Sequence, residues 1–299
     1  MAKPPIITIL LGAMIALACV LLAAMIVRVR RSGEPFRPAP EVIAVTAVIN
    51  FFDTLGIGAF APTTAYLKLR RLTPDHLIPA TLMLSLALSA SLQATIFVRI
   101  IEVDPALLIS CIAAAVVGAV VGSKLAERLP PARLRLVMGI GLLIAAAVMT
   151  LGNIDLLPTG GDAVALPPLQ FAIAVAACLL FGSLMNVGIG FYAPALITMS
   201  LLGLDPRAAF PIMMGSCAFL MPSAAFRLLK RRELDMRIVT ATNLGAIPGV
   251  LLAAFVVKSL PLDALRWVVI AVVLYAAIMM LRARNAAPAT PALEAEPAA

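Results

Sequence analysis

The chain has 299 residues, of which 63% are hydrophobic and 13% charged. A soluble domain of this size needs a far more charged surface, so the composition points to a polytopic membrane protein. The formal net charge of +8 resides in short basic clusters between apolar runs, a pattern of membrane orientation and not of a nucleic-acid partner.

Residues 6–27 are an apolar run followed by Arg28, Arg30 and Arg31. The run is long and its arginines follow it, so it reads as a retained N-terminal transmembrane helix and not a cleaved signal. A basic linker completes residues 1–41. Residues 42–69 form an apolar segment broken near Leu55-Gly56. Helices are expected over 76–98, 105–125 and 134–151. Residues 152–168 are Gly/Pro-rich, contain no Lys or Arg, and form the seam between two halves. A second broken segment, 169–202, follows, with helices near 206–229, 238–257 and 262–281. Residues 285–299, rich in Ala, Pro and Glu, are expected to be disordered. Gly118-x-x-x-Gly122 and Gly245-x-x-x-Gly249 are small-residue faces that let a neighbouring helix approach closely.

The two broken segments are copies. Gly56-Ile-Gly58-x-x-Ala61-Pro62 recurs as Gly188-Ile-Gly190-x-x-Ala193-Pro194. The same offset carries Leu72 to Leu204, Pro74 to Pro206 and Pro79 to Pro211, which makes an internal repeat. Charge decides how each copy sits. If both enter and leave on one side, 18 of the 23 Lys and Arg fall on the cytoplasmic face; single crossings give no bias. Each half is then a broken-helix hairpin plus three transmembrane helices: repeat one at 42–151, repeat two at 169–284. Three crossings are odd in number, so the halves form an inverted-topology repeat in an all-α fold. The N-terminus is expected outside and the C-terminus in the cytoplasm.

Gly/Pro breaks free backbone groups, which at membrane depth must be buried in protein or line a watery cavity. A half-helix starting at Gly56 or Gly188 would aim N–H groups and its positive dipole end at an anion. Gly58 and Gly190 allow close backbone approach. Thr54, Thr63 and Thr64 offer hydroxyls from the first copy; Asn186 and Tyr192 offer donors from the second. The plain alternative is that such glycines serve packing and such hydroxyls bond back to their own helix. Asp53 is the one carboxylate deep in an apolar segment. It reads either as a cap on the following half-helix or as a proton carrier, with Asn50 on the same face. Ser85, Ser89 and Gln93 recur at four-residue spacing on one helix face. Cys19, Cys111, Cys178 and Cys217 lie in apolar runs without a CxxC pair, and His76 is the only histidine. Neither a metal nor another cofactor is expected.

The duplicated Gly-x-Gly…Pro segments, each followed by a Pro-containing helix start, resemble the TauE/SafE sulfite-exporter family from about residue 42 to 281. The resemblance implies a permease for small anions such as sulfite, sulfoacetate and related organosulfur compounds, driven by an ion gradient. It places the family's glycine motif on Gly56, Gly58 and Pro62, and on Gly188, Gly190 and Pro194. Where the family commonly has a denser glycine run, Ala59-Phe60 and Phe191-Tyr192 stand here. The expected function is secondary transport of a small anion in a bacterial cytoplasmic membrane, with H+ or Na+ as coupling ion. Apolar helices of this kind are also compatible with a homo-oligomer. The rival readings are a non-transporting assembly subunit and an intramembrane enzyme. The second lacks HExxH or paired membrane aspartates, and the absence of GxxxxGK[ST] removes ATP hydrolysis.

Overall fold

The computed structural model describes residues 5–32, 39–74, 77–126, 131–154, 161, 163–185, 191–229 and 234–282. Among the described residues the chain forms eleven helices. They are α1 (Pro5–Ser32), α2 (Pro40–Thr54), α3 (Phe60–Leu69), α4 (Ile78–Ile100), α5 (Pro105–Ala126), α6 (Pro131–Asn153), α7 (Pro168–Met185), α8 (Tyr192–Leu201), α9 (Pro206–Leu228), α10 (Met236–Ser259) and α11 (Leu262–Arg282). The tail at 285–299 lies outside the described residues. Prolines begin six of these helices, where a missing N–H costs nothing.

Among the described residues, four helical segments are long and apolar enough to cross a bilayer: Pro5–Arg31, Thr81–Ile100, Pro168–Met185 and Met236–Ser259. The apolar stretches Pro105–Val121, Gly139–Asn153, Tyr192–Leu201 and Ala264–Met279 are shorter. Seven full crossings are expected; among the described residues α1, α4 and α10 of that set meet both criteria, and α5, α6, α9 and α11 have 21 to 23 residues each. The fourth helix to meet both is α7, the first arm of the second broken segment. Its 18 residues span roughly 27 Å at 1.5 Å per residue, whereas the 15 of α2 reach about 22 Å. The two broken segments are therefore unequal in their first arms.

In each broken segment the chain that follows the second arm lies beside the chain that leads into the first. In the first, Arg70 just after α3 pairs with Glu41 in the first turn of α2 at 2.8 Å. Val42, Leu67, Ile78 and Leu82 share a small apolar cluster with Ile238 and Ala241 at that end. In the second, Asp205 N–H donates to Ala163 O at 2.8 Å, which ties the chain after α8 to the chain before α7.

The helices pair along much of their lengths. α2 runs parallel to α10, with Thr46 at Ala241, and Gly249 against Ala47 and Phe51. α7 runs parallel to α5, with Gly182 against Ala115 and the Ser183 hydroxyl bonded to Gly118 O at 2.9 Å. The free thiols Cys111 and Cys178 meet in that same interface. α4 and α9 are antiparallel: Phe97 near the end of α4 stacks on Phe210 near the start of α9 at 5.3 Å. The start of α6 lies against the end of α11, Gly139 on Ala277 and Leu281. Exchanging the halves maps α2–α10 onto α7–α5, and maps α4–α9 and α6–α11 onto themselves. The glycine contacts repeat too: Gly249 sits on the Ala47 carbonyl and Gly118 on its counterpart, the Leu179 carbonyl. The surroundings of Gly122 lie outside the described residues. Outward-facing Ile9, Val121, Ile144, Leu251 and Phe255 form the apolar exterior that lipid solvates.

α3 and α8 end in the same way. Leu72 N–H reaches back to Leu67 O and Arg71 N–H to Lys68 O; Leu204 N–H reaches Met199 O and Gly203 N–H reaches Ser200 O. These are Schellman motifs, whose C′ residue is left-handed. Gly203 fills that place at φ 92°, but Arg71 fills it at φ 50°. A side chain in the left-handed region costs roughly 1–2 kcal/mol that glycine avoids. Arg71→Gly is therefore expected to raise the apparent melting temperature by a few degrees, and Arg71→Ala to give no comparable gain. Thermal unfolding of the three proteins in one detergent checks this.

Candidate substrate site

Beyond Glu41 in its first turn, α2 is apolar except for Thr46, Asn50, Asp53 and Thr54, which fall on one face at helical spacing. α4 carries Thr81, Ser85, Ser89 and Gln93 at intervals of four, again one face. The two polar faces meet. Ser89 donates its hydroxyl to Asn50 Oδ1. Gln93 Nε2 donates to Asp53 Oδ2 at 2.7 Å and to Thr54 Oγ1 at 3.1 Å. From the second broken segment, the Tyr192 hydroxyl at the first position of α8 donates to Gln93 Oε1 at 2.7 Å. Asn50, Thr54 and Gln93 are fully buried, and Asp53 and Tyr192 are 8% exposed. Gln93 thus joins the two broken segments through a single side chain.

The remaining bonds in this group are local. Thr54 donates to Asn50 O at 2.7 Å, and Asn50 Nδ2 to Thr46 O at 2.8 Å. Thr46 donates to Val42 O at 2.6 Å, and Ser85 to Thr81 O at 2.7 Å. A buried network of this kind is costly when partly satisfied and rigid when complete. Asp53, Thr54, Asn50 and Gln93 all find partners here.

The first turn differs from the sequence expectation at one point. Gly56 does not start a half-helix; it ends α2. Ile57 N–H bonds Phe52 O at 3.2 Å and Gly56 N–H bonds Asp53 O at 2.8 Å, with Gly56 at φ 102°. That is a third Schellman closure, and it requires a left-handed C′ residue. The second arm begins only at Phe60, after a turn through Gly58 at φ 89°. Asp53 reaches across this turn: its Oδ1 accepts the Ala59 N–H, at the N-cap position of α3, at 2.7 Å. The carboxylate therefore holds the half-helix start, six residues ahead of it, and not a helix beginning at Leu55.

Other residues singled out from the sequence differ in their surroundings. Thr64 donates to Phe60 O at 2.8 Å, the back-bonding role. Thr63 is buried at 1% exposure, and its Oγ1 has no hydrogen-bond partner. Gly58 has open space where a Cβ would stand. Asn186, Gly188 and Gly190 lie outside the described residues.

The family comparison is decisive for the class. The description Sulfite exporter TauE/SafE matches residues 1–149 and 170–298, the two halves with only the seam between them unmatched. The chain belongs to the TauE/SafE family. It is therefore a membrane transport protein, and its apolar helices are the transmembrane elements of a TauE/SafE permease. No curated protein and no solved structure matches the chain.

The sequence pointed to Gln93 only as one of three polar residues on a helix face. Its role as the bridge was not legible, because the partner Tyr192 is remote in sequence and set by packing. The one available signal was chemical: Gln93 is the only amide on α4, whose other uncharged polar residues are hydroxyls.

Proposed function

We propose that this TauE/SafE protein is a secondary transporter of small anions, with sulfite, sulfonates and related organosulfur anions as the substrate class. Residues 42–151 and 169–284 act as inverted repeats, and their rocking gives alternating access across a bacterial cytoplasmic membrane. The orientation is N-terminus out and C-terminus in, from the cytoplasmic bias of Lys and Arg. Supporting the inverted relation, the exchange-related pairs α2–α10 and α7–α5 are both parallel, while α4–α9 is antiparallel. A two-fold axis in the membrane plane demands that combination.

The observation that carries the proposal is the hydrogen-bonded bridge Asp53–Gln93–Tyr192. It brings Asp53, just before the first break, and Tyr192, just after the second, onto one buried side chain. The unpartnered Thr63 hydroxyl and the open space at Gly58 lie on the first break, where a substrate oxygen would find a donor. Thr54, Gly56, Gly58 and Thr63, with Asn186, Gly188, Gly190 and Tyr192, form the proposed substrate site. Asn50 and Asp53 belong to the coupling-ion side of it; the Thr64 hydroxyl makes an exposed bond only to its own helix, whereas Thr54 is buried and also accepts from Gln93.

The test is a thermal-shift screen of detergent-purified protein with sulfite, thiosulfate, sulfate, sulfoacetate and taurine. A ligand bound only by the folded state raises stability by about 2.7 kcal/mol at a hundredfold excess over Kd. We expect one sulfur oxyanion or sulfonate to give a selective rise. Gly58→Val strains the turn and fills the open space, so it is expected to remove that rise. No rise from any of the five at millimolar concentration would contradict the proposal.

A further inference from the structure

The geometry around Gln93 points to a proton-driven amide switch, and this inference rests on the anion-transport reading above. An ionised carboxylate can only accept hydrogen bonds. Gln93 therefore presents Nε2 to Asp53 and leaves Oε1 for Tyr192, whose hydroxyl is consumed in donating to it. We propose that protonation of Asp53 turns the Gln93 amide over and releases the Tyr192 O–H to the substrate anion.

A proton from water binds Asp53 Oδ2, and that O–H donates to Gln93 Oε1. Nε2 now faces the Tyr192 phenolic oxygen, which accepts. The Tyr192 hydrogen must leave the amide and is free for an anion at the start of α8. Asp53 Oδ1 keeps the Ala59 N–H throughout, so the turn is undisturbed. Thr54 Oγ1 can follow by turning its hydrogen from Asn50 O to the amide oxygen. The switch couples one proton to one anion twice over. It supplies a donor, and it removes a negative charge that would repel the substrate.

Among the described residues no second carboxylate is positioned to take this role. Among the described residues, the titratable groups that interact with Asp53 are Tyr192 on α8 and Cys217 on α9. The described charged residues of the surrounding helices lie near helix ends or flanks: Glu41 on α2, Lys68 on α3, Arg99 on α4, Arg207 on α9, Arg237 and Lys258 on α10, Arg266 and Arg282 on α11, and Asp235 just before α10.

Two readouts test the switch, and only the second uses an anion. The first is infrared difference spectroscopy of the purified protein between about pH 4 and pH 9, a range that brackets carboxyl titration in proteins. We expect a carboxylic-acid band that is absent in Asp53→Asn. A tyrosine C–O change should accompany it and be absent in Tyr192→Phe. In Gln93→Leu the acid band should remain while the tyrosine change vanishes. A tyrosine change that persists in Gln93→Leu, or an Asp53 band with no tyrosine change, would overturn the switch, as would no Asp53 band at all. The second readout is the affinity for sulfate and methanesulfonate, which stay ionised over this range. Wild-type affinity should fall about tenfold per pH unit once Asp53 ionises, one proton being linked to one anion. Asp53→Asn, whose Nδ2 donates to Gln93 Oε1 permanently, should bind equally at every pH. If the infrared relay is present but neither anion binds, the switch stands and the anion reading fails. Binding that is pH-independent in the wild type contradicts the switch alone.

Discussion

Replacing Gln93 with leucine is expected to abolish anion-induced stabilisation and to lower the melting temperature by several degrees. The side chain is fully buried and makes three hydrogen bonds, to Asp53, Thr54 and Tyr192. Leucine fills a similar volume, so packing changes little. What changes is satisfaction: Asp53 Oδ2 loses its donor, and the Tyr192 hydroxyl loses its acceptor. Stranding a buried charged acceptor and a buried hydroxyl costs about 2–4 kcal/mol in total. Function should suffer more than stability, because the two broken segments are no longer held around one centre. The check is a thermal-shift titration of Gln93→Leu beside Gln93→Asn, a shorter amide. A Gln93→Leu protein that melts like wild type and keeps its anion response would remove Gln93 from the mechanism.

The second large effect belongs to the helix pairs. Gly249 faces the Ala47 carbonyl and Phe51 N–H, and Gly118 faces the Leu179 carbonyl, both too close to admit a Cβ. Backbones this near gain dispersion and weak Cα–H···O contacts that substitute for a hydrophobic drive in lipid. Leucine at either site must push α10 from α2, or α5 from α7, along a whole interface. A loss of about 4 kcal/mol or more is expected, enough to unfold a marginal membrane protein. Gly141 on α6 is the control: nothing lies within 4 Å of its Cβ position. Gly141→Ala should be neutral or gain up to about 1 kcal/mol of helix propensity. Detergent-solubilised yield and monodispersity by size-exclusion chromatography separate these outcomes. Equal yields for Gly249→Leu and Gly141→Ala would contradict the close packing of α2 and α10.

Much of this architecture was readable in the sequence because it is written twice. The offset linking Gly56 to Gly188 also links Arg71 to Gly203 and Leu72 to Leu204, and the structure ends α3 and α8 with one motif at those places. Segment ends were legible because proline and charge mark them. The role of Gly56 was not. A glycine between two apolar arms can end the first or start the second, and hydrogen bonding decides which. Nor did composition reveal the unequal arms, since the extra length of α7 lies in residues as apolar as those of α2. The long-range bond from Tyr192 to Gln93 depends on how α8 packs, which no local pattern encodes. From its position in the sequence alone, Asp53 fits a cap or a proton carrier. Its bond to Ala59 N–H supplies the first role, and its bond to Gln93 leaves the second open to the amide switch.

The most direct test of the central claim is uptake of radiolabelled sulfite and of a labelled sulfonate into proteoliposomes without ATP, under an imposed proton gradient. The account predicts saturable uptake above protein-free liposomes for at least one of them, and accelerated exchange when the same anion is loaded inside. Neither uptake nor exchange above the protein-free rate, with folded protein present in the vesicles, would contradict it.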